Sequence, residues 1–326
     1  MNRRQSLAAL PALGTVLLQP SFGRTQHSAH SSKTTEPLSA PQAQSSPVLN
    51  RAIPSSGERI PAIGLGTWQT FDVGAAASDR APLVEVLREF VTLGGRVIDS
   101  SPMYGRSEEV AGELMRAVGA RESMFVATKV WTRGEAAGIA QMRASIEKLS
   151  TPTGKALDLM QVHNLVDVDT HLATLAAWKR EGRIRYVGVT HYTEGAYDEV
   201  AALIEKQKLG AIDFLQINYS VAEQGAAKRL LPLAAKRGIA VIINRPFAGG
   251  ELLRRLRDKP LPAVAKDMGA TSWAQLLLKY VLSHPAVTCA IPATSKVTHL
   301  RDNLAAMAEP LPNEKQRALI VEAVSA

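Results

Sequence analysis

Arg96-Val97-Ile98-Asp99, Phe125-Val126-Ala127-Thr128-Lys129 and Leu157-Asp158-Leu159-Met160-Gln161-Val162-His163 are three successive, largely apolar runs that each end on a polar side chain. Runs this short with so little alternation read as strands buried on both faces, the pattern of a parallel sheet. Placed side by side in one barrel, they bring Asp99, Lys129 and His163, together with Tyr104 in the loop after the first, to its C-terminal mouth. Barrel enzymes keep their chemistry at that end.

Working outward, eight runs qualify as such strands: Ala62 to Gly66, Val97 to Ser100, Met124 to Val130, Leu157 to His163, Tyr186 to Thr190, Phe214 to Asn218, Ala240 to Asn244 and Thr288 to Pro292. Amphipathic stretches separate most of them, among them Pro82 to Leu93, Glu108 to Val118, Gly138 to Leu149 and Thr170 to Glu181. Eight alternations of strand and helix predict a closed (β/α)8 TIM barrel. Before it, two short extended segments flank Ser55-Ser56-Gly57, with Pro54 and Pro61 limiting them. They predict an N-terminal β-hairpin outside the barrel, placed to cover its bottom. Ser107 ahead of Glu108-Glu109 predicts a hydroxyl-capped helix start. Gly182 after Lys179-Arg180-Glu181 predicts a left-handed glycine stop.

The chain has 326 residues, 46% of them hydrophobic, enough for one barrel of about 250 residues. Its formal charge is +8, of which +3 belongs to the first 50 residues. The remaining excess contains no Lys/Arg run, so a nucleic-acid partner is not implied. The single cysteine, Cys289, sits in an apolar stretch, which excludes an intrachain disulfide and predicts a buried thiol. Arg3-Arg4 precedes an apolar segment from Leu7 to Leu18 that is too short to span a bilayer permanently. Residues 1–23 therefore read as a twin-arginine-type export signal with periplasmic delivery, the alternative being a cytoplasmic protein with an apolar N-terminus. Residues 24–49, rich in Ser, Thr, Gln and Pro, bury too little to offset their ordering entropy and read as a disordered linker. The barrel then occupies 50–326.

The four mouth residues form a coherent chemical set. Tyr104 lies in Ser101-Pro102-Met103-Tyr104-Gly105, where proline and glycine restrict the loop and hold the phenol over the mouth. A phenol with its pKa near 10 exchanges protons poorly at neutral pH unless a cation stabilises its anion. Lys129 supplies such a cation and is expected to lower that pKa. A buried lysine requires a counter-charge, and Asp99 on the neighbouring strand is placed to give it. His163 is placed to hydrogen-bond a substrate carbonyl and orient it. No metal-ligand set is read.

The runs Gly94 to Gly105, Ala127-Thr128-Lys129-Val130-Trp131, Gln161-Val162-His163-Asn164, Ile184 to Thr190 and Phe214 to Tyr219 resemble the signature segments of the aldo-keto reductases. The resemblance spans roughly residues 50 to 310. It implies NADPH, or NADH, bound in extended form, and hydride transfer to an aldehyde or ketone. Tyr104 would then be the general acid, Lys129 and Asp99 would tune it, and His163 would position the carbonyl. Gly64-Leu65-Gly66 lacks the third glycine of a dinucleotide fingerprint, so the cofactor has to lie across the barrel mouth.

By the same similarity, Thr190, His191 and Gln216 would meet the nicotinamide carboxamide, with Gly66, Thr67 and Asn244 nearby. The segment from Ile291 to Lys296, with Arg301 and Asn303, would meet the adenosine end, Thr294 and Lys296 serving as anion donors at a helix start. Trp68 and Trp131 would wall an apolar substrate pocket, while Trp178 and Trp273 are read as packing residues. The chain departs from the family pattern in several places. Asn244-Arg245-Pro246-Phe247 stands where many members have a stacking tyrosine, and Ala293 and His299 stand where NADPH-preferring members are often basic. Two other readings stay open: an aldolase-type lyase with Lys129 as Schiff-base amine, and a non-catalytic NADPH-binding or partner-binding barrel.

Overall fold

The computed structural model describes residues 48–208 and 210–326. Residues 1–23, read from the sequence as an export signal, and most of the expected linker fall outside these. Val48 and Leu49, which the sequence places in the linker, are half-buried and pack on the core.

Among the described residues ten strands are formed: β1 (Asn50–Ala52), β2 (Arg59–Pro61), β3 (Leu65–Gly66), β4 (Val97–Asp99), β5 (Phe125–Val130), β6 (Leu157–His163), β7 (Ile184–Thr190), β8 (Phe214–Asn218), β9 (Ala240–Asn244) and β10 (Val287–Ala290). Strands β3 to β10 form one parallel sheet in sequential order. Bridges Ile63↔Ala290 and Gly66↔Ala293 join β10 back to the β3 segment, so the expected (β/α)8 barrel is the observed fold. Residues 62–64 contribute through these bridges and not as regular strand, which shortens the first barrel strand to two residues.

The hairpin β1–β2 pairs antiparallel, with Gly57 at φ 77° in its turn. Its Ile53 and Ile60 are fully buried in a cluster with Phe125, Leu159, Tyr186, Phe214, Ile242 and Cys289, side chains from the barrel interior. The hairpin therefore plugs the N-terminal end, and Cys289 is buried there as expected. A larger apolar layer lies between the strands and the surrounding helices. Among the described residues, no helix is long and apolar enough to cross a membrane.

Helix limits follow the sequence less closely than strand limits. Helix Ala77–Thr92 begins five residues ahead of Pro82. Helix Val168–Arg180 ends as read: Gly182 has φ 71°, its N–H donates to Lys179 O, and Arg183 N–H donates to Trp178 O. Ser107, by contrast, is not a cap. It is the first residue of helix Ser107–Ala117 and its hydroxyl donates to Thr67 O at 3.4 Å. The helix start is held instead by Asp72, whose Oδ1 accepts from Arg106 N–H at 3.0 Å.

Candidate active site

Strand alternation fixes the floor of the site. Asp99, Lys129, Gln161 and Gln216 close β4, β5, β6 and β8 on the inward face, and all four are buried. The Lys129 ammonium, fully enclosed, donates to Asp99 Oδ2 at 2.6 Å and to Ser100 O at 2.7 Å. The other carboxylate oxygen, Asp99 Oδ1, accepts from Gln216 Nε2 at 2.8 Å and from Gln161 Nε2 at 3.3 Å. Thr67 Oγ1 donates to Asp99 O at 3.0 Å, which ties the first barrel strand to the second. Burial lowers the Lys129 pKa; the Asp99 carboxylate, with a lesser contribution from Tyr104, outweighs it, and the ammonium is held above its ordinary pKa.

Tyr104 hangs over this floor. Gly105 makes the loop possible: its φ is 58°, and a Cβ there would lie 2.4 Å from the Asp72 carboxylate. Lys129 Nζ is 5.2 Å from the Tyr104 ring centroid. The phenol nevertheless titrates above its ordinary value, because burial raises it more than the Lys129 charge lowers it, and Asp99 adds to the rise. The net depression expected from the sequence is thereby corrected. Lys129 acts in the expected direction, but desolvation dominates, and the phenol keeps its proton at neutral pH.

His163 stands edge-on to Tyr104, ring centroids 5.8 Å apart. Its pKa is pushed down to about 3, first by burial and then by the Lys129 charge, so the imidazole is neutral. Ser101 Oγ lies 2.9 Å from His163 Nδ1 and also accepts the Met103 N–H at 3.2 Å. Among the described residues Nδ1 is the only acceptor within reach of the buried hydroxyl's proton, so Ser101 donates to it. That selects the tautomer with the proton on Nε2, which has no protein partner.

A cavity of about 870 Å³ opens above these groups. Asp99, Tyr104 and His163 line it, and Lys129 lies behind them. Of the residues implied for a cofactor, Gly66, Thr67, Thr190, Gln216, Asn244, Thr294 and Asn303 face the same cavity. His191 and Lys296 do not. His191 stacks on Tyr192 at 5.5 Å between ring centroids and contributes only its carbonyl, which accepts from Asn244 Nδ2 at 2.9 Å. Lys296 is exposed, outside the cavity wall, and Arg301 pairs with Glu89 at 2.7 Å. Trp68 lines the cavity, whereas Trp131 stands on the rim with its ring 6.4 Å from His163. Trp178 is buried packing, as read, but Trp273 forms part of the cavity wall.

Two acceptors in this wall lack partners. Asn164 Oδ1 and Asn244 Oδ1 are buried without a protein hydrogen bond, in side chains that line the cavity. Buried oxygens of this kind call for a donor, and a ligand that carries an N–H donor, such as the carboxamide of a nicotinamide, suits this wall. Sequence reasoning assigned no role to Ser101, Gln161 or Asn164. Period-two alternation back from His163 marks Gln161 as sharing its face, a usable signal.

Fold and site together define an α/β-barrel oxidoreductase. Residues 62–323 match the aldo/keto reductase family. The methylglyoxal reductase YeaE of Escherichia coli is 30% identical over 256 residues, covering 76% of this chain and 86% of that protein. Pyridoxine 4-dehydrogenase of the same organism is 27% identical over 267 residues, 75% of this chain and 88% of that one. A crystal structure of an aldo/keto reductase from Klebsiella pneumoniae in complex with NADP and acetate superposes with a TM-score of 0.68 at 28% identity, over 82% of this chain and 93% of that one. The chain belongs to the aldo/keto reductase family and is an NAD(P)H-dependent oxidoreductase.

Proposed function

We propose that this protein reduces an aldehyde or ketone to the alcohol with NADPH, Tyr104 giving the proton. The observation that carries the proposal is a protonated phenol and a neutral imidazole facing one cavity, above a buried ammonium–carboxylate couple. A reduced nicotinamide in this cavity would supply the hydride for the carbonyl carbon, and Asn164, Thr190, Gln216 and Asn244, which line the cavity, would hold its carboxamide.

His163 Nε2–H donates to the substrate oxygen and fixes its direction. Tyr104 passes its proton to that oxygen as negative charge develops there, and Lys129 stabilises the phenolate left behind. Asp99 keeps Lys129 charged; Gln161 and Gln216 hold Asp99 in place. The same contacts oppose the Schiff-base reading. An enclosed ammonium with two acceptors and no face on the cavity is no nucleophile.

Trp68, Met103, Trp131 and Tyr192 are large apolar side chains left exposed around the mouth. They favour a carbonyl compound with an apolar or aromatic body, and the likeness to a methylglyoxal reductase supports small aldehydes as well. The direct test is loss of reduced-nicotinamide absorbance when the pure protein meets NADPH and a panel of aldehydes. Turnover supports the proposal; tight NADPH binding without turnover contradicts it, and an imine trapped by borohydride would restore the lyase. We further propose twin-arginine export on the strength of Arg3-Arg4 ahead of the apolar stretch from Leu7. Fractionation of an Arg3→Lys/Arg4→Lys variant tests it, retention of the periplasmic location being the contrary result.

A further inference from the structure

We infer that Arg254 and Arg257 hold the 2′-phosphate that distinguishes NADPH from NADH. The inference rests on the cofactor reading above and extends it to the phosphate this chain recognises. Of the basic groups expected from the sequence, Lys296 is exposed and not among the residues that line the cavity, and Arg301 is paired with Glu89. Arg245 lines the cavity but pairs with Glu223 at 3.2 Å. Arg254 and Arg257 also line it, both exposed, and among the described residues neither forms an ion pair.

The two arginines come from the end of helix Glu251–Leu256 and its C-terminal cap. Their spacing of three puts them side by side on one helix face. Two planar guanidinium groups so placed match the oxygens of a phosphate monoester better than a point charge does. The wall around them is apolar, from Leu253, Leu256, Leu261 and Trp273, and the indole is fixed by donation from Nε1 to Lys259 O at 2.9 Å. An apolar wall that includes an indole suits adenine. The phosphate that sits beside adenine in NADPH, and is missing from NADH, is the one on the ribose 2′ oxygen. The carboxylate at this end, Asp302, is engaged by Ser272 Oγ at 2.6 Å and Gln275 Nε2 at 2.7 Å.

The test is equilibrium binding of NADPH and NADH, read by quenching of tryptophan fluorescence, in the wild type, Arg254→Ala/Arg257→Ala, Arg254→Lys/Arg257→Lys and Lys296→Ala. The double alanine variant is expected to raise the NADPH Kd by about tenfold to a hundredfold, as for loss of one or two charge-assisted contacts, and to leave NADH within about twofold. The lysine pair should fall between, and Lys296→Ala should match the wild type. Both substituted side chains are exposed, so unchanged melting confirms that the variants fold. Equal weakening of both cofactors would move the arginines to the pyrophosphate and overturn the inference, as would selective loss of NADPH in Lys296→Ala or unchanged binding in the double variant. A wild type that binds neither cofactor would overturn the cofactor reading along with it.

Discussion

The two ends of this barrel each set a tyrosine against polar side chains and use it in opposite ways. At the closed end Tyr186 meets the hairpin: its hydroxyl lies 2.7 Å from Ser56 Oγ and donates to Glu58 Oε2 at 2.8 Å, and Arg185 bridges Glu58 and Asp158. Its hydrogen-bonding capacity is used within the protein, over an apolar floor of Ile53, Ile60, Phe125 and Phe214. At the open end the floor is polar, made by Asp99, Lys129, Gln161 and Gln216, and Tyr104 faces a cavity. Burial raises the pKa of both phenols. Each ring has a cation 5.2 Å from its centroid, Lys129 at Tyr104 and Arg185 at Tyr186, but only Tyr104 has a cavity in front of it with room for another molecule, and that separates a structural tyrosine from a proton donor.

The sharpest way to break this contrast is Tyr104→Phe. Carbonyl reduction should fall by about 10²–10⁴-fold, the usual contribution of a placed acid, with the NADPH Kd unchanged; steady-state kinetics and fluorescence titration check both. Asp99→Asn comes next. It leaves the Lys129 ammonium enclosed without its counter-charge, and removing one partner of a buried pair costs about 3–5 kcal/mol. Denaturant unfolding should show that loss, together with a lower kcat. Ser101→Ala removes the hydroxyl that sets the His163 tautomer; about a tenfold fall in kcat/KM is expected, with about 1 kcal/mol lost from stability as the bonds to His163 and Met103 N–H go. The smallest effect is at the closed end: Tyr186→Phe should cost about 1 kcal/mol of stability, the net worth of a hydrogen bond, and leave kcat alone. A large loss of activity there would erase the distinction between the ends.

What was legible in the sequence follows the same division between strand and loop. Period-two alternation fixes which way a strand residue points, so Asp99, Lys129 and His163 came together as read, and β6, β8 and β9 have the expected limits. Loop and helix-cap residues carry no such rule. His191 matched the family by position, yet its ring stacks on Tyr192 and does not line the cavity, because the path of a connection decides which face a side chain takes; Lys296 is exposed and not among the residues that line the cavity. Ser107 failed as a cap for a related reason: Asp72, remote in sequence, reached the helix start first. Arg254, Arg257 and Trp273 had no local signature, since the wall they form exists only once the segment after β9 packs beside the segment after β10.

The dependence of kcat/KM for carbonyl reduction on pH tests the central claim most directly, because the two groups that face the substrate titrate far apart. A phenol must be protonated to act as acid, and Tyr104 is raised above 10.0, so activity should be lost only as pH climbs past that ordinary value. His163, depressed to about 3, adds no limb between pH 5 and 8 and stays a neutral donor throughout. A plateau across neutral pH with one alkaline fall, abolished in Tyr104→Phe, is the predicted result. A fall centred near the ordinary histidine value of 6.5 would mean that His163 supplies the proton, and would contradict the account.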